Sequence, residues 1–255
     1  MIPGIDLMTP QPTIRVLYEA AARASVDLAG TTAVVIDAIR ATTTIVMALA
    51  AGCREVIPFR TEAEVRAEAA RRPAGSAVTA GERGGVRIEG LDLNNSPSVM
   101  TADRVGGRSL LLTTTNGTQA LHDAAAASTV LVAALPNRRA VARRIAALGR
   151  PVVFVAAGTE GAVSCEDTLV AGAVIEALLP AWAGGAAFHV EDSARVALLA
   201  WRGAADGVAA AFHATRGGTA IARLGLEADL AACTTIDSTD VVPVASGIPM
   251  VITGE

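Results

Sequence analysis

The stretch TAVVIDAIRATTTIVMALAAG, residues 32–52, reads as strand, polar turn and helix in immediate succession. TAVVID (32–37) is a β-branched apolar run of strand length. ATTTIVMALAAG (41–52) opens on hydroxyls suited to a helix start and closes on Gly52, suited to a helix stop. The same alternation continues outward. EVIPF (55–59), AVTAGE (77–82), SLLLTT (109–114), TVLVAAL (129–135) and PVVFVAA (151–157) are further strands. TEAEVRAEAARR (61–72) carries acids in its first turns, Arg in its last and Pro73 just beyond, matching the helix dipole at both ends. NGTQALHDAAAA (116–127), NRRAVARRIAALG (137–149) and EDTLVAGAVIEALL (166–179) complete the crossover helices. Short strands alternating with longer helices predict an α/β fold, with parallel or mixed sheets flanked by helices.

After Pro180 the pattern changes. WAGGAAF (182–188) reads as a connector, and 189–232 is helical by composition, broken at Gly203, Gly207, Gly217 and Gly218. The end returns to strands, DVVPVA (240–245) and IPMVIT (248–253), joined by a Ser-Gly turn. A return to the sheet after a helical excursion predicts two interleaved α/β subdomains, divided near 128 and 185, within one unit. No repeat of fixed period is present.

The chain has 255 residues, 52% of them hydrophobic, with mean hydropathy +0.46, enough to bury a large core. All 21 basic residues are Arg, which removes Schiff-base chemistry, lysine general bases and the lysine phosphate loop. A net charge of −4 and 3% aromatics argue against a nucleic-acid surface. No apolar run reaches the roughly 18 residues of a membrane span, and MIPGIDLMTPQP (1–12) lacks the basic start and apolar block of a secretory signal. The expectation is a cytoplasmic protein with a small anionic partner. An Ala-rich surface with few charges is compatible with a homo-oligomer. Cys53, Cys165 and Cys233 are far apart and odd in number, so burial as small apolar residues is expected rather than disulfides or a zinc knuckle.

Ligands of open α/β sheets sit beyond the carboxyl ends of the strands, and there the polar residues of this chain concentrate. Strand 32–37 delivers Asp37, Arg40 and the hydroxyls of Thr42, Thr43 and Thr44 at a helix start, an oxyanion cradle built without lysine or a plainly capped helix beside a solvated Arg. Strand 77–82 delivers Glu82 and Arg83, then a loop whose Glu89, Asp92, Asn94, Asn95 and Ser96 exceed what a turn requires. Strand 109–114 delivers Thr115, Asn116, Gly117 and Thr118, a second cradle or a hairpin turn, the helical pattern that follows favouring the cradle. Beyond strand 151–157, Ser164 with Glu166 and Asp167 resembles a capped helix start that needs only one of its two acids.

Carboxylates gathered in one cleft repel unless a cation joins them. Asp37, Glu82, Asp92, Glu166 and Asp167 are therefore candidate metal ligands, and an oxygen-only set favours Mg²⁺ or Mn²⁺ shared with a substrate phosphate. Metal-assisted phosphoryl chemistry follows. Water is the expected nucleophile, with Asp37 or Glu82 as general base; a phospho-aspartyl intermediate on Asp37 is the alternative. Competing templates fail on spacing. The two-aspartate dehalogenase signature needs Asp where Ile39 stands, and the cysteine-phosphatase loop needs Arg where Phe59, Ala171 and Thr239 stand. GxSxG and HExxH are absent. His122, His189 and His213 fall in helical segments and are expected at the surface or core edge.

VVIDAIRATTTI (34–45), GERGG with IEGLDLNNSPS (81–98), TTTNGTQAL (113–121), ALPNRRAVA (134–142) and SCEDTLVAGAVIEAL (164–178) resemble, in order, the motifs of the 2-phosphosulfolactate phosphatases of the ComB type. The resemblance covers about residues 30–180. It implies an α/β protein of two intertwined subdomains and Mg²⁺-dependent hydrolysis of 2-phospho-3-sulfolactate to 3-sulfolactate and phosphate, a step of coenzyme M biosynthesis. Asp37 and Arg40, Glu82 and Arg83, Asp92, Asn95 and Ser96, Asn116 and Gly117, and Glu166 and Asp167 fall on those motifs. Two other functions are consistent with the same residues: phosphatase action on another small 2-phospho-hydroxy acid, and non-catalytic binding of a phosphorylated or sulfonated metabolite.

Overall fold

A computed structural model describes residues 11–23, 25–182 and 188–255; residues 1–10, at the N-terminus read above for a secretory signal, and most of the 182–188 connector lie outside them. The strands are β1 (Thr13–Leu17), β2 (Thr32–Ile36), β3 (Glu55–Phe59), β4 (Ala77–Arg83), β5 (Val86–Arg87), β6 (Ser109–Thr113), β7 (Thr129–Val132), β8 (Val152–Ala156), β9 (His189–Val190), β10 (Pro243–Ser246) and β11 (Val251–Gly254). They form one mixed sheet of order β5-β4-β6-β3-β11-β10-β7-β2-β8-β1-β9. The helices are α1 (Ala20–Arg23), α2 (Ala41–Ala50), α3 (Glu62–Arg71), α4 (Ala102–Val105), α5 (Gly117–Asp123), α6 (Arg138–Leu148), α7 (Cys165–Trp182), α8 (Asp192–Ala204), α9 (Val208–Ala214), α10 (Arg216–Arg223) and α11 (Glu227–Thr234).

Two parallel runs, β4-β6-β3 and β7-β2-β8-β1-β9, are joined by the antiparallel hairpin β10-β11. That hairpin also pairs antiparallel with β7 on one side and β3 on the other, so the two runs point in opposite senses. In a flat sheet five strand spacings, roughly 24 Å, would separate β2 from β6. The sheet instead curls. Ala33 and Val35 of β2, Leu110 and Leu112 of β6, and Ala120 and Leu121 of α5 share one core with Ile45 and Ala48 of α2. The alternate residues Val34 and Ile36 face a second core, with Val141 and Ile145 of α6, Val170 and Val174 of α7, and Trp201 of α8. A third, smaller core lies under α3, through Val65, Ile57 and Leu111. The period-2 split of TAVVI between two cores explains why all five residues are buried and why the run is continuously apolar.

Helix sequence follows helix position. α2 carries no charge and buries eight of its ten residues, as a helix enclosed by a curled sheet must. α3 buries only Val65, opens with the Thr61/Glu64 capping box and is otherwise built of charged residues and alanines.

The α/β expectation holds, with local corrections. β1 and the two-residue strands β5 and β9 were not foreseen; β5 and β9 are too short to carry a period of their own. His189 lies in β9 rather than in a helix. α7 begins at Cys165 and continues through Pro180 instead of stopping before it, and Cys165 is exposed, unlike buried Cys53 and Cys233. Among the described residues, no helix is long and apolar enough to cross a membrane.

Candidate active site

Asp37 follows β2 directly and is 8% exposed at the base of a cavity of about 230 Å³. The turn after it is closed by its own neighbours: Thr42 Oγ1 donates to the Asp37 carbonyl (2.9 Å) and accepts from the Asp37 amide (3.1 Å), while the Ala41 amide donates to Asp37 Oδ1 (3.3 Å). Thr43 Oγ1 donates to the Ala38 carbonyl (2.8 Å). The Thr42 and Thr43 hydroxyls therefore seal the strand-to-helix junction, and Thr44 Oγ1 is buried with no partner. All three lie away from the cavity wall, which corrects their reading as a substrate cradle: a helix start enclosed in the core turns its hydroxyls to the backbone.

Across the cavity, Gly81 pairs with Thr113, bringing the ends of β4 and β6 level. Glu82, 7% exposed, takes its place there: Oε1 accepts from the Thr115 amide (2.8 Å) and hydroxyl (3.0 Å), and Oε2 from the Gly85 amide (2.8 Å). Thr115 and Asn116 line the cavity beside it. Thr118 instead exchanges hydrogen bonds with Thr114 to start α5, its amide donating to Thr114 Oγ1 (3.0 Å). Gly117 is required by contact. A Cβ there would lie 2.6 Å from Asp37 Oδ2, so only glycine lets the β6–α5 junction close onto the end of β2.

α7 adds two buried acids with different situations. Asp167 is a latch: Oδ1 accepts from the Ala38 amide (2.8 Å) and Oδ2 from the Gly158 amide (3.0 Å), tying the ends of β2 and β8 to the helix, while its own amide is capped by Ser164 Oγ (3.2 Å). Glu166, 3% exposed, has no hydrogen-bond donor among the described residues. α10 is pressed against it, since a Cβ on Gly217 would fall 2.1 Å from Glu166 Oε1.

The rest of the site comes from the helical excursion. Arg40, 2% exposed, donates from Nη1 to Asp229 Oδ2 (2.7 Å) and from Nη2 to the Gly85 carbonyl (2.8 Å). Asp229 Oδ1 accepts in turn from the hydroxyls of Ser96 and Ser98 (2.6 Å each). Ser96 thus serves Asp229, from behind the cavity. Asn95 lines the cavity with its Oδ1 buried and unpartnered. Arg216, Gly217, Ala220, Ile221 and Leu224 of α10 and the loop after it, with Thr159 and Glu160, close the opposite wall. Sequence reading missed Asp229 and Arg216; the Gly217–Gly218 pair, noted only as a helix break, was the one available signal.

Two more of the expected site residues lie elsewhere. Asp92 Oδ2 accepts from the Thr79 amide and hydroxyl (2.8 Å each). Thr79 sits on the opposite face of β4 from Glu82, so Asp92 pins its loop to the outside of the sheet. Arg83, one residue past Glu82, also turns to that face, donating to the Glu82 carbonyl (2.7 Å) and Thr113 Oγ1 (3.3 Å). Strand alternation separates both from the cleft.

Burial, and then the neighbouring Glu82 and Glu166 charges, push the Asp37 carboxyl up to about 7 against the pull of the Ala41 amide and Arg40. Burial and the charges of Asp37 and Glu166 raise Asp167 well above the ordinary carboxylate range. The one buried cation of the cleft, Arg40, is already paired with Asp229. This charge imbalance, with a donor-free Glu166 and an orphaned Asn95 oxygen, suits a hard cation. Among the described residues no three His, Cys, Asp or Glu side chains approach closely enough to share one ion, so a cage of three or more carboxylates is not present. The donor set instead fits Mg²⁺, which takes one or two carboxylates and completes its shell with water and substrate phosphate. Behind Asp37 the Cys233 thiol is pushed up to about 12, chiefly by burial, and stays protonated, no nucleophile.

Residues 18–247, which include every residue of the cavity wall, match the family model described as 2-phosphosulpholactate phosphatase. The chain belongs to the 2-phosphosulpholactate phosphatase family. A relative from Synechococcus sp. (strain RCC307), named a probable 2-phosphosulfolactate phosphatase, is 42% identical over 216 residues, covering 83% of this chain and 87% of its own. One of the same name from Synechococcus sp. (strain CC9605) is 42% identical over 219 residues, 85% of this chain and 90% of its own. The Deinococcus radiodurans relative, also so named, is 40% identical over 213 residues, 83% and 86%. Membership of the 2-phosphosulpholactate phosphatase family places the chain among phosphoric monoester hydrolases.

Proposed function

We propose that this chain is a Mg²⁺-dependent phosphatase that hydrolyses 2-phospho-3-sulfolactate to 3-sulfolactate and inorganic phosphate, in the cytoplasm, as a step of coenzyme M biosynthesis. The observation that carries the reading is the convergence of Asp37, Glu82 and Arg40 in one cavity within a chain of this family.

Asp37 and Glu166 are the carboxylates with oxygens left over from internal hydrogen bonding, and they would hold the cation. Bound there, Mg²⁺ would supply charge neutralisation at the phosphate oxygens. Arg40, fixed by Asp229 and the Gly85 carbonyl, offers its remaining N–H groups to the transferring phosphoryl group without reorganisation. Glu82 Oε2 accepts only one hydrogen bond and keeps a lone pair for the attacking water, whose proton it would take as the phosphorus–oxygen bond forms. The alkoxide of the departing 2-hydroxy group takes a proton back, leaving hydroxy acid and phosphate. Asn95 and Asn116 offer amides for the substrate carboxylate.

The test is phosphate release from 2-phospho-3-sulfolactate and from 2-phospho-hydroxy acids lacking the sulfonate, with Mg²⁺ and with EDTA. Metal-dependent release, fastest on the sulfonated compound and reduced by about 10²–10⁴-fold in Asp37→Asn, is the expected result. Tight binding with no release would instead support a non-catalytic binder. Release that ignores the sulfonate would assign another phospho-hydroxy acid.

A further inference from the structure

The proposed substrate carries anions at two ends, and the cleft that would receive it is lined by Asp37, Glu82 and Glu160. Such a wall repels a polyanion unless cations stand at both ends of the binding site. Among its lining residues only two are basic: Arg40, buried at the base, and Arg216, at the start of α10. Arg83, the other guanidinium near Glu82, is turned to the opposite face of the sheet.

Arg216 is held in place and yet free to exchange its partner. Thr215 Oγ1 caps α10 by accepting from the Gly218 amide (3.0 Å), and Gly217 is wedged on Glu166, so the Arg216 backbone is fixed beside the carboxylate cluster. Its side chain pairs with Glu160, across the mouth of the cavity, with exposures of 57% and 75%. An ion pair this exposed contributes little in water, so releasing it costs little. A sulfonate is a stronger competitor when its other end is already anchored within the cleft, because the second contact is then intramolecular.

We propose that Arg216 is the specificity residue for the second anionic group of the substrate, its guanidinium leaving Glu160 for the sulfonate while the phosphoryl end lies deeper, against Arg40. This rests on the phosphatase reading for the orientation of the substrate, but not for the presence of the anion site. Glu160 is the competing ligand that keeps the guanidinium oriented when the cleft is empty.

The experiment compares 2-phospho-3-sulfolactate with 2-phospholactate, which lacks only the sulfonate, in the wild-type chain, Arg216→Ala, Arg216→Lys and Glu160→Gln. Arg216→Ala should raise KM for the sulfonated substrate by about 10–100-fold, the size of a charge-assisted contact, with kcat and the kinetics on 2-phospholactate within about twofold. Arg216→Lys should recover part of the loss. Glu160→Gln should lower KM for the sulfonated substrate in the wild-type background, and by less in the Arg216→Ala background, where only the repulsion of the wall is relieved. Equal damage to both substrates, or none to either, overturns the assignment. Calorimetric binding of 3-sulfolactate repeats the comparison without turnover. If the chain hydrolyses neither phosphate ester, the loss of 3-sulfolactate binding in Arg216→Ala still decides the role of this residue, and unchanged binding refutes it.

Discussion

The strand ends and the helical excursion of residues 189–234 face each other across one cavity and supply opposite things. Asp37, at the end of β2, is held by its neighbours in sequence, Ala41 and Thr42, and Glu82, at the end of β4, by Gly85 beside it and by Thr115 at the end of the adjacent strand. Asp229 and Arg216 in the excursion reach partners far away in the chain, Arg40 across 189 positions and Glu160 across 56. The first region brings the reacting carboxylates; the second brings a cation and the counter-charge that fixes another. A site of this kind is half local turn chemistry and half tertiary assembly.

The sharpest way to break that division is to remove Asp229. Arg40 would keep its burial and lose its counter-ion, so Asp229→Ala should cost about 3–5 kcal/mol of stability, read by urea denaturation. A cost under about 1 kcal/mol would mean that Arg40 does not depend on the excursion.

A smaller effect comes from the acids themselves. The native state raises Asp37 to about 7 and Asp167 also upward, so between about pH 4 and 7 it binds more protons than the unfolded chain. Stability must then fall as pH rises through that window, the contribution being fully present below the ordinary carboxylate pKa and lost above the raised one. A cation binding the ionised cluster relieves the same repulsion, so the gain in Tm on adding Mg²⁺ should grow from about pH 5 to pH 8 in scanning calorimetry. A gain that is equal at both values, or absent, would detach Asp37 from the cation.

The smallest expected effect marks the edge of the site. Arg83→Ala and Asp92→Asn, both on the outer face of β4, should change kcat/KM by no more than about twofold, as ordinary surface substitutions do. A larger loss in either would extend the working surface around the strand.

The legible part of the molecule is the part whose cause is local. TAVVID announces a buried strand because both its faces meet a core, and Asp37 stands out because an acid at the end of such a strand has no packing reason to be there. Glu82 was readable on the same ground. Thr42, Thr43 and Thr118 were misread because a hydroxyl at a helix start serves the backbone as readily as a ligand, and only enclosure of the junction decides between them. Asp92 and Arg83 were misread because neighbours along a strand alternate between faces, and a polar loop does not say which face it folds onto. Asp229 was invisible: an acid in the first turn of an eight-residue helix looks like an ordinary response to the helix dipole, and its role appears only when Ser96, Ser98 and Arg40 are brought to it.

The hairpin β10-β11 occupies the middle of the sheet although it is made of residues 243–254. During synthesis, therefore, each of the two parallel runs emerges with a bare inner edge, β3 on one and β7 on the other, waiting for strands made after all the others of the sheet. Unpaired edges of apolar strands invite association with other nascent chains. Insertion of the hairpin pairs both edges at once, so a single late step removes the hazard from the two halves of the sheet together.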